Sequence, residues 1–457
     1  MASELESGGN ALREPATAGG TELQGNAEVR VNDAAASADR PETQEKAGKN
    51  GPEASQAARL HRPPILSMTP EELGQWLEAR GEPRYRLRQV LHWIFTQPVE
   101  NFDQMSDIPK ALRRELGRAF RMWTTRVLEH LKAEDGTEKL LLRLMDGQTV
   151  ECVLLRDDKG HRTACISTQV GCAMGCVFCA SGLGGFVRNL SAFEILEQLL
   201  HLKRLLPGKE RLTHIVVMGM GEPLANLKNL LKALELATSP AGLGISGRRV
   251  TISTVGIPPA IDRLAESGKP YHLAISLHAP TDALRNRLVP ANEKIGIRAI
   301  MAAADRYFAK TGRRVTFEYV LLAGVNDRPE HATALANLLK NRTALVNLIP
   351  YNPVPELNFR TPSPARVHRF VEILREAGLN VRVRFRKGVR IDAACGQLRR
   401  RLTSGVAEGV CSEQPKPEMA SSQSSLGEAP QAECPPGGEK SSSGGELSQP
   451  QNAPVTA

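Results

Sequence analysis

Three cysteines, Cys172, Cys176 and Cys179, stand in a C-x3-C-x2-C array within one short glycine-rich stretch, GCAMGCVFC from Gly171 to Cys179. Thiolates ligate metals, and the array has four readings. A zinc site asks for a fourth Cys or His close by; the next candidate, His201, falls well inside a helical pattern. A thioredoxin-like site needs two cysteines, not three. A buried structural trio fits poorly in a single glycine-rich loop. A [4Fe–4S] cluster takes four ligands, so three from protein leave one iron open to a small molecule. Spacing and position favour this last reading. Of the other five cysteines, Cys152 reads as core, Cys395 taken alone as an ordinary buried cysteine, and Cys411 and Cys434 as idle members of a polar C-terminal segment. Cys165 lies seven residues before the array.

The elements that must hold this loop follow from periodicity. From residue 162 onward, strand-like and helical stretches alternate. RTACISTQV, LTHIVVMG, RRVTISTVG, YHLAISLHA, VTFEYVLLAGV and ALVNLIPYN read as strands. Between and after them, SAFEILEQLLHLKRLL (opening on a capping box, Ser191 to Glu194), LKNLLKALELA, Pro258 to Glu266, Ile300 to Phe308, EHATALANLLKN and PARVHRFVEILREAG read as helices. Six βα units whose strands are apolar on both faces predict a parallel sheet. The absence of a mononucleotide-binding glycine fingerprint favours an open or partial barrel, where chemistry belongs at the C-terminal strand ends. Upstream, residues 63–125 predict a small helical domain with an Arg-rich face, expected to bind RNA, and residues 126–161 a strand-rich connector turning at Asp146-Gly147. The core is expected over 162–403.

The chain has 457 residues. Residues 1–62 and 404–457 hold no aromatic side chain and are expected to be disordered tails, unable to offset backbone ordering of roughly 1–2 kcal/mol per residue. Residues 1–60 carry 10 acidic and 6 basic side chains and residues 404–457 carry 7 and 2, so a chain of net charge +9 has a body of +18. Such a body suits a polyanion. No apolar run reaches the roughly 18 residues of a membrane span, and the N-terminus shows no secretory signal. A cytoplasmic protein is expected, whose eight cysteines serve metal or redox chemistry.

The strand ends carry further motifs: QVGCAMGCVFCASGLGGFVRNL, VVMGMGEPLANL, VTISTVG, LAISLHAP, NLIPYNP and IDAACGQL, in that order. The cysteine array with an aromatic before its last member resembles the radical S-adenosylmethionine (SAM) signature. The six motifs together resemble the RlmN-type RNA adenine methyltransferases, over about residues 68–400. The resemblance implies a partial (β/α)6, TIM-like radical SAM barrel with a helical accessory domain. It implies one [4Fe–4S] cluster on Cys172, Cys176 and Cys179, two SAM molecules per turnover, and SAM contacts from Gly221, Glu222, Ser253, Ser276, Leu277, His278 and Asn352. Cys395 matches the methyl carrier, Cys165 its redox partner, and Glu151 a carboxylate that accepts a proton.

The implied activity is methylation of adenine carbon 2 in 23S rRNA and in tRNA beside the anticodon. A disulfide between Cys165 and Cys395 is left at the end of each turnover, and electrons come from a donor protein such as flavodoxin. A monomer with no membrane contact is expected. One departure is visible: Val389-Arg390 replaces an acidic pair frequent in the family, adding positive charge near Cys395. The readings that compete are a Cfr-type carbon-8 methyltransferase, a methylthiolating radical SAM enzyme (which wants a second cysteine trio), and a non-catalytic RNA-binding Fe–S protein.

Overall fold

Local sequence explains the first helix start. Helix α1 (Pro70–Glu78) opens at Thr69, whose hydroxyl accepts from the Glu72 N–H at 3.2 Å while Glu72 Oε2 accepts from the Thr69 N–H at 2.7 Å. Such a capping box is worth about 1 kcal/mol. Helix α2 (Tyr85–Leu91) runs into one π-helical turn, His92–Thr96, and α3 (Lys110–Ala119) buries Leu112 and Leu116 while Lys110, Arg114 and Arg118 face outward. The computed structural model describes residues 62–384, 388 and 391–399. The expected tails, Cys411, Cys434 and the Val389-Arg390 pair lie outside the described residues.

Ten strands form one sheet in the order β1-β2-β3-β4-β7-β8-β9-β10-β11-β12. Strands β1 (Arg126–Lys132), β2 (Glu138–Arg143) and β3 (Thr149–Arg156) are antiparallel, and β3 pairs antiparallel with β4 (Arg162–Cys165). From β4 on, every pairing is parallel: β7 (His214–Val217), β8 (Val250–Thr254), β9 (His272–Ser276), β10 (Val315–Leu321), β11 (Ala344–Pro350) and β12 (Asn380–Val383). The crossovers carry α4 (Ala192–Arg204), α5 (Leu227–Thr238), α6 (Pro258–Glu266), α7 (Asp282–Leu288) with α8 (Ile297–Thr311), α9 (Pro329–Leu339) and α10 (Pro364–Glu376). The sheet therefore has free edges at β1 and β12, and its parallel part is the six-unit open barrel that the alternating pattern predicts.

Two features depart from that pattern. RTACISTQV is two strands: β4 ends at Cys165, and β5 (Gln169–Gly171) leaves the main sheet to pair antiparallel with β6 (Phe186–Asn189), clasping the cysteine loop in a hairpin. The short β12 adds a seventh parallel strand. A segment this short, with exposed Asn380 and Arg382, lacks the apolar run that marks a buried strand.

Candidate active site

The barrel interior opens at the C-terminal strand ends into a cavity of about 940 Å³, its mouth included, lined by Cys172, Cys176, Cys179, Glu222, His278 and Cys395 among others. A second, larger space of about 1780 Å³, open to solvent, is lined by Cys165, Glu318, Asn347, Arg384 and again Cys395. Cys395 thus stands on the wall common to both.

The cysteine loop is held by backbone. The Cys172 N–H donates to Gly185 O at 3.0 Å, Val177 N–H to Leu288 O at 3.1 Å and Ala180 N–H to Gly396 O at 2.8 Å. Gly171, at φ +74°, has no alternative: a Cβ there would lie 1.8 Å from Gly185 O. Burial pushes all three thiols up, Cys172 to about 11, and the other two thiols of the array rank among the further causes for Cys176. Three half-buried thiols that resist ionisation fit a site completed by a cationic group, since a bound metal deprotonates a coordinating thiol. Among the described residues, no three His, Cys, Asp or Glu side chains gather closely enough to share one ion.

The expected SAM contacts divide into several kinds. Glu222 is buried and already engaged: Oε1 accepts from the Leu224 N–H at 3.0 Å and Oε2 from the Val255 N–H at 2.9 Å. Gly221, at φ +100°, is required by the protein itself, because a Cβ would meet Gln169 Cβ at 2.6 Å. Ser253 and Ser276 line the mouth with their hydroxyls 3.3 Å apart. Leu277 does not line it; its side chain is wholly buried in the main core, its N–H donates to Glu318 O at 3.0 Å and its carbonyl accepts from Arg285. His278, at φ +59°, sits edge-on to Phe178, with ring centroids 4.9 Å apart. Its Nδ1 accepts from the Val320 N–H at 3.1 Å, so Nε2 carries the proton. Burial and Arg285 push it down to about 3, keeping the ring neutral. Asn352 donates from Nδ2 to Cys395 O at 3.1 Å, and among the described residues its Oδ1 has no hydrogen-bond partner.

Cys395 and Cys165 come together on the barrel wall. Burial, then Cys395, pushes Cys165 up to about 12, while Arg384 opposes the shift. Arg384 is in turn held above its ordinary value, with Cys395 as first cause. Both cysteines are free thiols in this structure, so the disulfide expected from the resemblance is not a bond of the resting fold. Glu151 is brought to the same loop but not onto the cavity wall. It is fully buried, paired with Lys139 Nζ at 3.0 Å, and its Oε2 accepts from the Arg399 N–H at 2.9 Å.

Three charged residues at the site escaped the sequence reading. Arg285, fully buried, donates from Nε to Leu277 O at 2.9 Å and from Nη2 to Ser276 O at 2.9 Å and Val255 O at 2.5 Å, tying together the ends of β8 and β9. Glu318 and Arg384 project into the barrel from β10 and just beyond β12. Their position right after or within strand-like runs was the available signal.

Comparison with known proteins agrees with this geometry. The profile of the Radical SAM superfamily matches residues 166–336, and that of the ribosomal RNA large subunit methyltransferase N-terminal domain matches residues 64–121. The probable dual-specificity RNA methyltransferase RlmN of Rhodopirellula baltica is 56% identical over 336 residues, 74% of this chain and 90% of that protein. Its namesake in Symbiobacterium thermophilum is 49% identical over 75% of this chain and 93% of its own length. The crystal structure of a radical SAM methyltransferase from Sphaerobacter thermophilus matches with a TM-score of 0.71 at 44% identity, covering 74% of this chain and 99% of that one. An open parallel barrel with a thiol loop at its mouth, matched in this way, is a SAM-dependent radical SAM enzyme. Identity and coverage of this order go one step further. The chain belongs to the RlmN family.

Proposed function

We propose that this enzyme methylates carbon 2 of a specific adenosine in 23S rRNA, and of the adenosine beside the anticodon in tRNA, by way of an S-methylated Cys395. The observation that carries the reading is the placement of Cys395 on the wall shared by the thiol-lined mouth and the space that Cys165 lines. A methyl carrier must face both a methyl source and a second thiol that later releases it. Cys172, Cys176 and Cys179 would hold one [4Fe–4S] cluster, and Ser253, Ser276, His278 and Asn352 would hold SAM. When bound, these groups supply an electron and a deoxyadenosyl radical, which suits attack at an electron-poor ring carbon.

The chain's own residues do the rest. Asn352 fixes the backbone of Cys395. Arg384 favours the thiolate of Cys165. Cys165, in reach of Cys395, is the better placed of the two proton acceptors, since Glu151 is occupied by Lys139 and the Arg399 N–H. The target base must leave its stack to enter the barrel. RNA binding rests on the +18 body and on the outward basic side chains of α3, Lys110, Arg114 and Arg118. The helical segment 63–125 would serve as that accessory surface, with a donor such as flavodoxin supplying electrons to a cytoplasmic monomer.

The test uses the reconstituted, reduced enzyme with SAM and 23S rRNA or tRNA. Cys165→Ala is expected to accumulate a covalent protein–RNA adduct through Cys395, and Cys395→Ala to give neither adduct nor methylated RNA. Free, unmodified RNA from the Cys165→Ala enzyme, seen on a denaturing gel, would sink the scheme. Mass spectrometry of the product nucleotide separates carbon 2 from carbon 8.

A further inference from the structure

Glu318 is a carboxyl group that the scheme above does not use. It is 4% exposed, on β10, yet it lines both the mouth and the second space. In the sheet it stands level with Ser276 on β9 and Asn347 on β11. Inward-facing neighbours at one level form a layer of a barrel interior, so Glu318 shares a polar layer with Ser276, one of the expected SAM contacts. Its Oε1 is fixed, accepting from Asn347 Nδ2 at 3.1 Å. Among the described residues, its Oε2 has no hydrogen-bond partner. Arg384 lies within electrostatic range but makes no ion pair with it among the described residues. A buried acceptor left without a donor costs about 1–3 kcal/mol, more for a charged group. In a native structure such an atom calls for an explanation, and one that lines a cavity is open to an occupant of that cavity. A second buried acceptor, Asn352 Oδ1, is left without a donor on the wall of the same two cavities. Together they ask for an occupant that brings hydrogen-bond donors into the barrel.

We propose that Glu318 recognises adenine, its free Oε2 accepting a hydrogen bond from the exocyclic amine of an adenine ring held in the barrel. The inference rests on the reading that this cavity takes SAM and an RNA adenosine. Both bring that amine, and a 6-keto purine would instead turn an oxygen toward the carboxyl group. Burial pushes the Glu318 carboxyl above its ordinary range. An N–H donor to Oε2 favours the ionised form, so the bound amine and the carboxylate stabilise each other.

Glu318→Gln separates the roles. The amide oxygen can keep the Asn347 hydrogen bond, which turns an NH2 group toward the ring in place of the acceptor. Two arms are run on reconstituted enzyme. In one, SAM and its 6-keto analogue S-inosylmethionine are bound by equilibrium dialysis. In the other, initial methylation rates are compared on RNAs carrying adenosine or purine riboside, which lacks the amine, at the modified position. The wild-type enzyme is expected to prefer the amine by about tenfold or more in at least one arm. In Glu318→Gln that preference falls to near unity, and the arm that moves names the source. Glu318→Met, similar in volume and without an acceptor, repeats the test if the amide variant holds no iron. A variant that keeps the wild-type preference in both arms overturns the proposal, as does a wild-type enzyme indifferent in both. Failure of the underlying reading looks different: no methyl reaches adenosine RNA, while the SAM arm still reports on Glu318.

Discussion

At the scale of single residues, the site is governed by charges that have no access to water. Lys139 and Glu151 are both essentially unexposed and 3.0 Å apart, and Lys139 Nζ also donates to Asp392 O at 3.1 Å, at the start of the loop that carries Cys395. Removing one member of a buried pair strips the other of its counter-charge and typically costs about 3–5 kcal/mol, while replacing both by matched apolar groups is often close to neutral. Lys139→Met is therefore expected to lower unfolding free energy by that amount in urea titration, and Lys139→Met/Glu151→Leu to recover most of it. Equal losses for the single and double variants would show that the pair contributes nothing as a pair. The cysteine array was legible from its spacing, whereas Cys165, Cys395 and His278 stood out only through the family resemblance. Lys139, Glu318 and Arg384 were not, because a charged residue in or beside a strand normally marks the solvent face. Only the tertiary packing of the sheet turns that face inward.

At the scale of elements, the six βα units were legible because each strand is apolar on both sides and each helix carries a 3.6-residue stripe. The β5–β6 hairpin was not: its strands are short, and what forces it is one close backbone approach. The Gly171 position meets Gly185 O at a distance no side chain tolerates, and its φ is left-handed. Gly171→Ala is expected to open the hairpin, release the Cys172 N–H from Gly185 O, and lower iron retention after anaerobic reconstitution. The strained backbone alone costs about 1–3 kcal/mol. Gly147→Ala, at φ +80° in the β2–β3 turn with open space around it, is the control. It carries similar backbone strain without the clash, so iron retention in Gly147→Ala should match that of the wild type. Equal iron loss in both variants would assign the effect to strain in general and not to the clasp.

At the scale of the whole molecule, the charge is divided between a body of +18 and terminal segments of net −4 over residues 1–60 and −5 over residues 404–457. A polyanion and these segments compete for the same field. Removing residues 404–457 is therefore expected to tighten RNA binding at low salt, because five net negative charges no longer oppose the phosphates. Affinity itself should fall steeply as salt rises, since each neutralised phosphate releases a counterion, with a slope near −0.7 per contact on single strands. The Debye length shrinks from about 10 Å at 0.1 M to 3 Å at 1 M, so the advantage of the shortened chain should fade over the same range. Filter binding of 23S rRNA fragments across a salt series measures both quantities. A shortened chain that binds no tighter at any salt concentration would mean that the acidic segment does not reach the RNA surface, and that the basic body acts unopposed.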